Sequence, residues 1–165
     1  MAIKLRKVGM KTVKPTNAKG FTIIEVVLVL AIAGLIFLVV FLALPALQRS
    51  QRDTQRRSDV SRAMSQLASY QSNSQGAVPT SQAQIDTFVS GYLTNGGQQF
   101  NDPTAGSAYV VTYRGTNYAA PTTQGHIYYH TTATCSGGAA AAGSGGRNVA
   151  FVVVVEQGGT YCVNN

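Results

Sequence analysis

The longest uninterrupted apolar run of the chain covers residues 26–44, which contain no charged or strongly hydrogen-bonding side chain. Nineteen residues at about 1.5 Å each form a helix of about 29 Å, close to the ~30 Å hydrocarbon core of a bilayer. Glu25 stands at the head of this run and Pro45 follows its end. The pattern predicts a membrane-length helix with one carboxylate at its start.

The pattern changes after Pro45 to a polar, Arg-rich stretch that contains neither Gly nor Pro until Gly76. Apolar residues recur there at helical spacing, which predicts an amphipathic helix with one buried stripe. The stripe consists of Val60, Met64, Leu67 and Ala68, with Leu47 before them on the same path. We interpret the Arg-rich face as a solvated helix surface. Contact with lipid headgroups and contact with neighbouring subunits are the alternatives.

Residues 74–165 suffice for a small domain. A capping box at Thr80-Ser81 with Gln84 predicts a short helix over about 81–92. Alternating apolar segments separated by turn residues predict four strands: Tyr109–Arg114, His126–Thr132, Asn148–Glu156 and Thr160–Val163. We therefore expect an α+β fold, in which a long N-terminal helix packs on an antiparallel β-sheet head.

The two cysteines, Cys135 and Cys162, enclose the low-complexity segment SGGAAAAGSGGR. This composition predicts a flexible or irregular loop rather than core. Two cysteines in a translocated domain are expected to form a disulfide bond. Closing a loop of about 27 residues stabilises the fold by about 3–4 kcal/mol.

The net charge of +7 arises almost entirely from the first twenty residues, which carry six Lys or Arg and no acid. Residues 21–165 carry seven Arg and six Asp or Glu, a net charge of +1. Nucleic-acid binding is therefore not specifically supported. By the positive-inside rule, the basic segment stays in the cytoplasm and the C-terminal part is translocated.

Candidate chemistry is sparse, and we predict no enzyme, no metal and no cofactor. His126 and His130 share one face of a predicted strand, but no third ligand stands at metal-binding spacing. The acids of the head, Asp86, Asp102 and Glu156, are too far apart in sequence to suggest a catalytic pair.

The charge pattern around Gly20 allows two interpretations. A cut between Gly20 and Phe21 would remove the basic leader and leave the apolar helix on the product, whereas an uncut chain would keep a cytoplasmic basic tail. The stretch KGFTIIE, followed by an apolar helix that contains Gly34, resembles the N-terminal region of type IV prepilins and their pseudopilin relatives.

The resemblance implies a cleaved leader that ends at Gly20. A membrane prepilin peptidase would make the cut and methylate the new amine of Phe21. Thr22 and Glu25 match the family motif position for position and are implied to act in assembly. Pro45 lies about three residues further along than the usual proline of the family, so the helix kink implied at Gly34 and Pro45 is shifted by nearly one turn.

Glu25 needs a positive partner, because a carboxylate at bilayer depth costs at least about 2.5–3.5 kcal/mol. No Lys, Arg or His occurs between Phe21 and Gln48. In a cut chain the partner is the α-amino group of Phe21, which is positive near neutral pH. Pairing between neighbouring helices would neutralise the carboxylate and fix the axial stagger of the copies.

These observations predict four segments: a cleaved leader at 1–20, a transmembrane and assembly helix at 21–47, an amphipathic continuation at 48–73 and a β-sheet head with a C-terminal disulfide loop at 74–165. The expected function is that of a structural pilin of a bacterial type IV pilus, a helical homopolymer for adhesion, twitching motility or DNA uptake. The precursor would lie in the inner membrane and the product in the extracellular filament.

The implied partners are copies of the chain itself, minor pilins, the prepilin peptidase, the pilus assembly platform and the assembly and retraction ATPases. The alternatives are a type II secretion pseudopilin and an uncleaved membrane-anchored binding protein. The major pseudopilins order their C-terminal region with calcium, which needs clustered oxygen ligands. The cysteine pair and the few acids in this region favour a pilin.

Overall fold

The computed structural model describes residues 20–165 and divides them into two units, residues 20–41 and residues 42–165. Most of the predicted leader, residues 1–19, lies outside the described residues. Helix α1 (Ile23–Asn73) supplies the whole regular structure of the first unit and continues as the first element of the second.

The second unit adds a short helix and six strands to α1. The elements are α2 (Gln82–Phe88), which continues as a π-helical turn (Val89–Leu93), then β1 (Val110–Gly115), β2 (His126–Thr131), β3 (Ala133–Ser136), β4 (Ala139–Ala142), β5 (Val149–Val154) and β6 (Thr160–Asn164). The predicted short helix and all four predicted strands are present.

The main sheet has the order β1-β2-β5-β6. β2 with β5 and β5 with β6 are antiparallel, as expected, whereas β1 lies parallel to β2. The α+β class is confirmed, with a sheet that is mainly antiparallel. The residue pattern of a strand does not specify the direction of its neighbour, which is why β1 departs from the expectation.

One face of the sheet packs on α1 and α2 and forms the main core. Buried side chains from every layer meet there, including Leu67 of α1, Phe88 of α2, Tyr129 of β2 and Phe151 of β5. The Tyr129 and Phe151 rings lie 5.0 Å apart, and the Phe88 ring lies 6.4 Å from that of Phe151. β5 is buried on both faces over Val149–Val153, as the run VAFVVVV predicts.

The buried stripe of α1 differs from the predicted one. It contains Asp53, Arg56, Val60, Ala63 and Leu67. Val60 and Leu67 were predicted correctly, but Ala68 and Leu47 are exposed and Met64 is only half-buried. The stripe starts with two charged residues because segments distant in sequence supply partners for them.

The first part of the low-complexity segment, residues 136–142, is not the irregular loop that its composition predicts, whereas residues 143–147 do lie outside regular structure. β3 and β4 form an antiparallel hairpin, with Ala133 opposite Ala142. The hairpin covers the second face of the sheet, where Ala133 and Ala140 pack with Ala150 and Val152. Small side chains allow this close layer, and a Cβ on Gly138 would lie 2.5 Å from the Thr160 carbonyl oxygen of β6. Packing against the sheet thus overrides local propensity.

Candidate assembly segment

The start of α1 is held by a reciprocal set of hydrogen bonds between Thr22 and Glu25. The backbone N–H and the hydroxyl of Thr22 both donate to Oε2 of Glu25 over 2.8 Å, and the Glu25 N–H donates to the Thr22 hydroxyl over 3.4 Å. This is a capping box, in which residue N3 reaches back to the N-cap. Among residues 20–165, Oε1 of Glu25 has no hydrogen-bond partner, so it can accept one from another chain.

Gly20 and Phe21 precede the first helical residue, and both are exposed. The Phe21 side chain is 88% exposed. The peptide bond between them therefore lies outside the helix, where a protease can reach it. The nitrogen of Phe21, the amine of a cut chain, lies about one helical turn from Glu25.

The apolar surface of residues 21–44 is uncovered within the described part of the chain. Its large apolar side chains are 43% to 88% exposed, and α1 includes a window of mean hydropathy 3.3 that is long enough to cross a membrane. A water-soluble monomer does not expose a surface of this size. The segment requires lipid or copies of itself around it.

α1 keeps its helical assignment through Gly34 and Pro45. Gly34 is exposed, and a Cβ built on it would meet nothing within 4 Å. A helix kink at these two residues stays a prediction, as do the roles of Gly20, Phe21, Thr22 and Glu25.

A second cluster of polar residues lies inside the head and centres on Arg56, which is fully buried. All five N–H donors of its guanidinium are used. They bond to Asp102 at 2.7 and 3.2 Å, to Asp53 and Glu156 at 3.0 Å each, and to Thr104 at 2.7 Å. Arg52 adds a bidentate bond to Glu156, at 2.7 and 2.6 Å.

This Arg56 cluster ties three segments of the second unit together. Asp53 accepts the backbone N–H groups of Glu156 and Gln157 at 2.7 and 3.0 Å, at the turn between β5 and β6. Asp102 accepts those of Thr104 and Ala105 at 2.9 and 3.1 Å, in the loop before β1. The cluster therefore positions both loops on α1.

The cluster also controls the charge of its members. Hydrogen bonds from Arg52 hold the pKa of Glu156 far below its usual range. Burial would raise the pKa of Asp102, but hydrogen bonds from Arg56 and from backbone amides outweigh it and lower that pKa. Burial opposes the charge of Arg56 as well, yet its bonds to Asp102 and Glu156 raise its pKa. Arg56, Asp102 and Glu156 are thus charged at neutral pH.

Cys135 of β3 and Cys162 of β6 form a disulfide bond. His126 and His130 lie on the face of β2 opposite the helices, the face that the β3–β4 hairpin covers, and only His130 is fully buried. Burial lowers the pKa of His130 to about 4. Within residues 20–165, no group of three His, Cys, Asp or Glu side chains is arranged to hold a metal ion.

Sequence reasoning missed two features of these sites. The spacing T-x-x-E at residues 22–25 is the signature of a capping box and could have been recognised. The Arg56 cluster could not, because two of its three acids, Asp102 and Glu156, lie 46 and 100 residues from Arg56. Interpreting the Arg-rich face as solvated is wrong for Arg56 and holds only for its exposed neighbours.

The fold and the N-terminal segment together define a membrane-anchored precursor with a folded β-sheet head. Residues 15–41 match the family described as the prokaryotic N-terminal methylation motif. The chain carries this leader signature of the type IV pilin and pseudopilin class. The motif implies processing by a prepilin peptidase and pilus assembly. Searches of curated proteins and of solved structures found no match.

Proposed function

We propose that the protein is the structural subunit of a bacterial type IV pilus. One observation carries the proposal: the exposed apolar helix begins with a single carboxylate, Glu25, beside the nitrogen that becomes the amine of a cut chain. Of the groups in residues 21–48, only these two carry charge after cleavage. The helix therefore contains one negative and one positive site for contact between copies.

In an isolated chain the capping box satisfies Glu25, through Oε2. In a filament the methylated amine of Phe21 on a neighbouring copy pairs with the carboxylate, and Oε1 is available for it. Sliding one helix by a turn would leave both charges in an apolar bundle without partners, which is strongly unfavourable. This ion pair thus selects one axial stagger between neighbouring helices, while burial of the apolar side chains supplies most of the free energy of association.

The head supports a pilin rather than a calcium-dependent pseudopilin. The disulfide bond and the Arg56 cluster order its C-terminal region. Asp53 and Glu156, whose oxygens would be natural calcium ligands, are both bonded to the Arg56 guanidinium. A guanidinium thus occupies the position among the carboxylates where a metal ion would have to lie.

The remaining partners follow from this role. The precursor resides in the inner membrane with its leader in the cytoplasm, and the prepilin peptidase cuts after Gly20 and methylates Phe21. Assembly and retraction ATPases act through the assembly platform, and minor pilins join the homopolymer. The chain itself has a structural rather than an enzymatic role.

Intact-mass and N-terminal peptide analysis of material sheared from the cell surface tests the proposal. We expect a product that starts at methylated Phe21 and is abundant in long filaments. A processed product confined to the periplasm would indicate a pseudopilin. A full-length chain that keeps its leader and works as a single anchored molecule would contradict the proposal.

A further inference from the structure

The outer edge of β1 is one of the two edges of the main sheet. Within residues 20–165, β1 has a strand neighbour on one side only, β2. The backbone N–H and C=O groups of Val110 and Thr112 point toward β2. The alternate backbone groups, which include the carbonyl of Val111 and the N–H of Tyr113, therefore point away from the sheet. A free edge of this kind is a template for a strand from another molecule.

The side-chain amide of Gln82 occupies this part of the edge. Its Nε2 donates to Val111 O over 2.8 Å, and its Oε1 accepts the Tyr113 N–H over 2.7 Å. In a parallel ladder, one residue of an added strand opposite Thr112 would donate to that same carbonyl and accept from that same amide. The single amide of Gln82 thus makes both bonds that a residue of a fifth, parallel strand would make.

Two further contacts fix the amide in this orientation. Nε2 of Gln82 also donates to Oδ1 of Asp86 over 2.8 Å, so its two hydrogens go to Asp86 and Val111. Gln82 is the first residue of α2, and Ser81 caps that helix by accepting the N–H of Gln84. The start of α2 is therefore fixed next to β1, and the amide cannot flip without losing all three bonds.

The other edge of the sheet is protected differently. The turn between β3 and β4 lies against β6, where the Thr160 hydroxyl donates to Gly138 O over 2.9 Å, and the disulfide bond joins β3 to β6. The hairpin that covers the second face of the sheet is thus attached to β6, the other edge strand. No hairpin covers β1 among the described residues, and an open groove of about 320 Å³ runs beside it, lined by Gln82, Asp86, Val110 and Val111.

We propose that Gln82 is an edge-blocking residue, which prevents a β-strand of a second copy of this chain from adding to β1. The excluded partner is the same edge on another head, since every copy presents it and an added strand in either direction would need Val111 O and Tyr113 N–H, which Gln82 occupies. Val110, which is 51% exposed, would add apolar contact to such a pairing once the amide is removed. The Gln82 amide thus prevents two heads from joining their sheets through their β1 edges.

Hydrogen exchange on the full chain in detergent micelles, measured at low and at high protein concentration, tests this proposal. Gln82→Ala removes the amide, and at low concentration the Tyr113 amide should exchange about tenfold faster than in the wild type, as expected for one lost hydrogen bond. At high concentration the exchange should slow again as β1 edges pair. Sedimentation should show a larger species that the wild type lacks.

Two variants separate the alternatives. Thr87→Ala truncates an exposed residue of the same helix whose hydroxyl donates to Ala83 O within that helix, and it should behave like the wild type. Gln82→Lys breaks both edge bonds but places a charge on the edge, which natural sheets use against strand addition. Its Tyr113 amide should exchange fast at every concentration, without the larger species.

Two results would overturn the proposal. If Tyr113 exchange in Gln82→Ala equals that of the wild type, the amide does not occupy the edge in solution. If exchange is faster but no concentration-dependent association appears beyond that of Gln82→Lys, exposing the edge is not sufficient for pairing and Gln82 does not prevent it.

Discussion

The two halves of α1 belong to one helix but meet different surroundings. Residues 21–44 expose every large apolar side chain, whereas the stripe from Asp53 to Leu67 is buried by strands and loops of the same chain. Among residues 20–165, the hydrophobic half thus lacks an intramolecular core, and the half with buried charges has one. Apolar side chains in the first half serve contacts outside the chain, while the stripe serves folding. Substitutions in the first half should therefore impair contacts outside the chain, whereas substitutions in the buried stripe should reduce the stability of the head.

The largest effect on stability is expected from Arg56→Met. The substitution leaves three carboxylates, of Asp53, Asp102 and Glu156, without their shared cation. Removing one partner of a buried ion pair costs about 3–5 kcal/mol. Denaturant unfolding of the processed chain in detergent, followed by a spectroscopic signal from the head, measures the loss.

Arg49→Ala is the matched control, since Arg49 is an exposed arginine one turn before Asp53. It should change the free energy of unfolding by less than about 0.5 kcal/mol. Equal losses in the two variants would mean that burial of Arg56 does not matter to the head.

The next largest loss in the free energy of unfolding is expected from removing the disulfide bond. The double variant Cys135→Ser with Cys162→Ser reopens a loop with a sequence separation of 27 residues. The free energy of unfolding should fall by about 3–4 kcal/mol. Hydrogen exchange should locate the loosening in β3, β4 and β6, and an unchanged exchange pattern there would refute the view that the bond holds the hairpin on the sheet.

The comparison between the two halves is tested directly by a pair of leucines on α1. Leu67 is 1% exposed and Leu30 is 65% exposed. Leu67→Ala should destabilise the head by about 3 kcal/mol, because it leaves a cavity in the core. Leu30→Ala should leave unfolding of the head unchanged. A loss of head stability in Leu30→Ala would contradict the division.

The sequence predicts those parts of the structure that depend on residues close together in the chain, and it does not predict those that depend on contacts between distant residues. The helices and the four strands of the main sheet follow from periodicity and turn residues, and the apolar half of α1 follows from its composition. The β3–β4 hairpin cannot be predicted in this way, because Ala-Gly sequences have low strand propensity. Ala140 is stabilised in a strand only by packing against the folded sheet. From the sequence, Arg56 is expected to be solvated, because its partners Asp102 and Glu156 become its neighbours only in the folded chain.

The smallest effect, for a drop of one pH unit, is a pH dependence from His130. Its folded pKa of about 4 lies below the ordinary value of 6.5, so the unfolded chain binds more protons between these pH values. Head stability should thus be highest above pH 6.5 and fall by up to roughly 1.4 kcal/mol per pH unit as the pH drops toward 4.

His130→Phe should remove this part of the acid sensitivity in thermal melts at several pH values. His126→Phe, which changes the half-buried histidine on the same face, is the control and should keep it. Identical pH profiles for the wild type and His130→Phe would rule out His130 as the source.

The charge of Glu25 is tested most directly by the filament yield of Glu25→Gln. Glutamine can still close the capping box with Thr22 but carries no charge to pair with the amine of Phe21 on a neighbouring copy. We expect a chain that is cut, methylated and inserted in the membrane, with an intact head by hydrogen exchange, but with few or no surface filaments. Filaments at wild-type abundance would show that Glu25 acts only as a helix cap and would contradict the account.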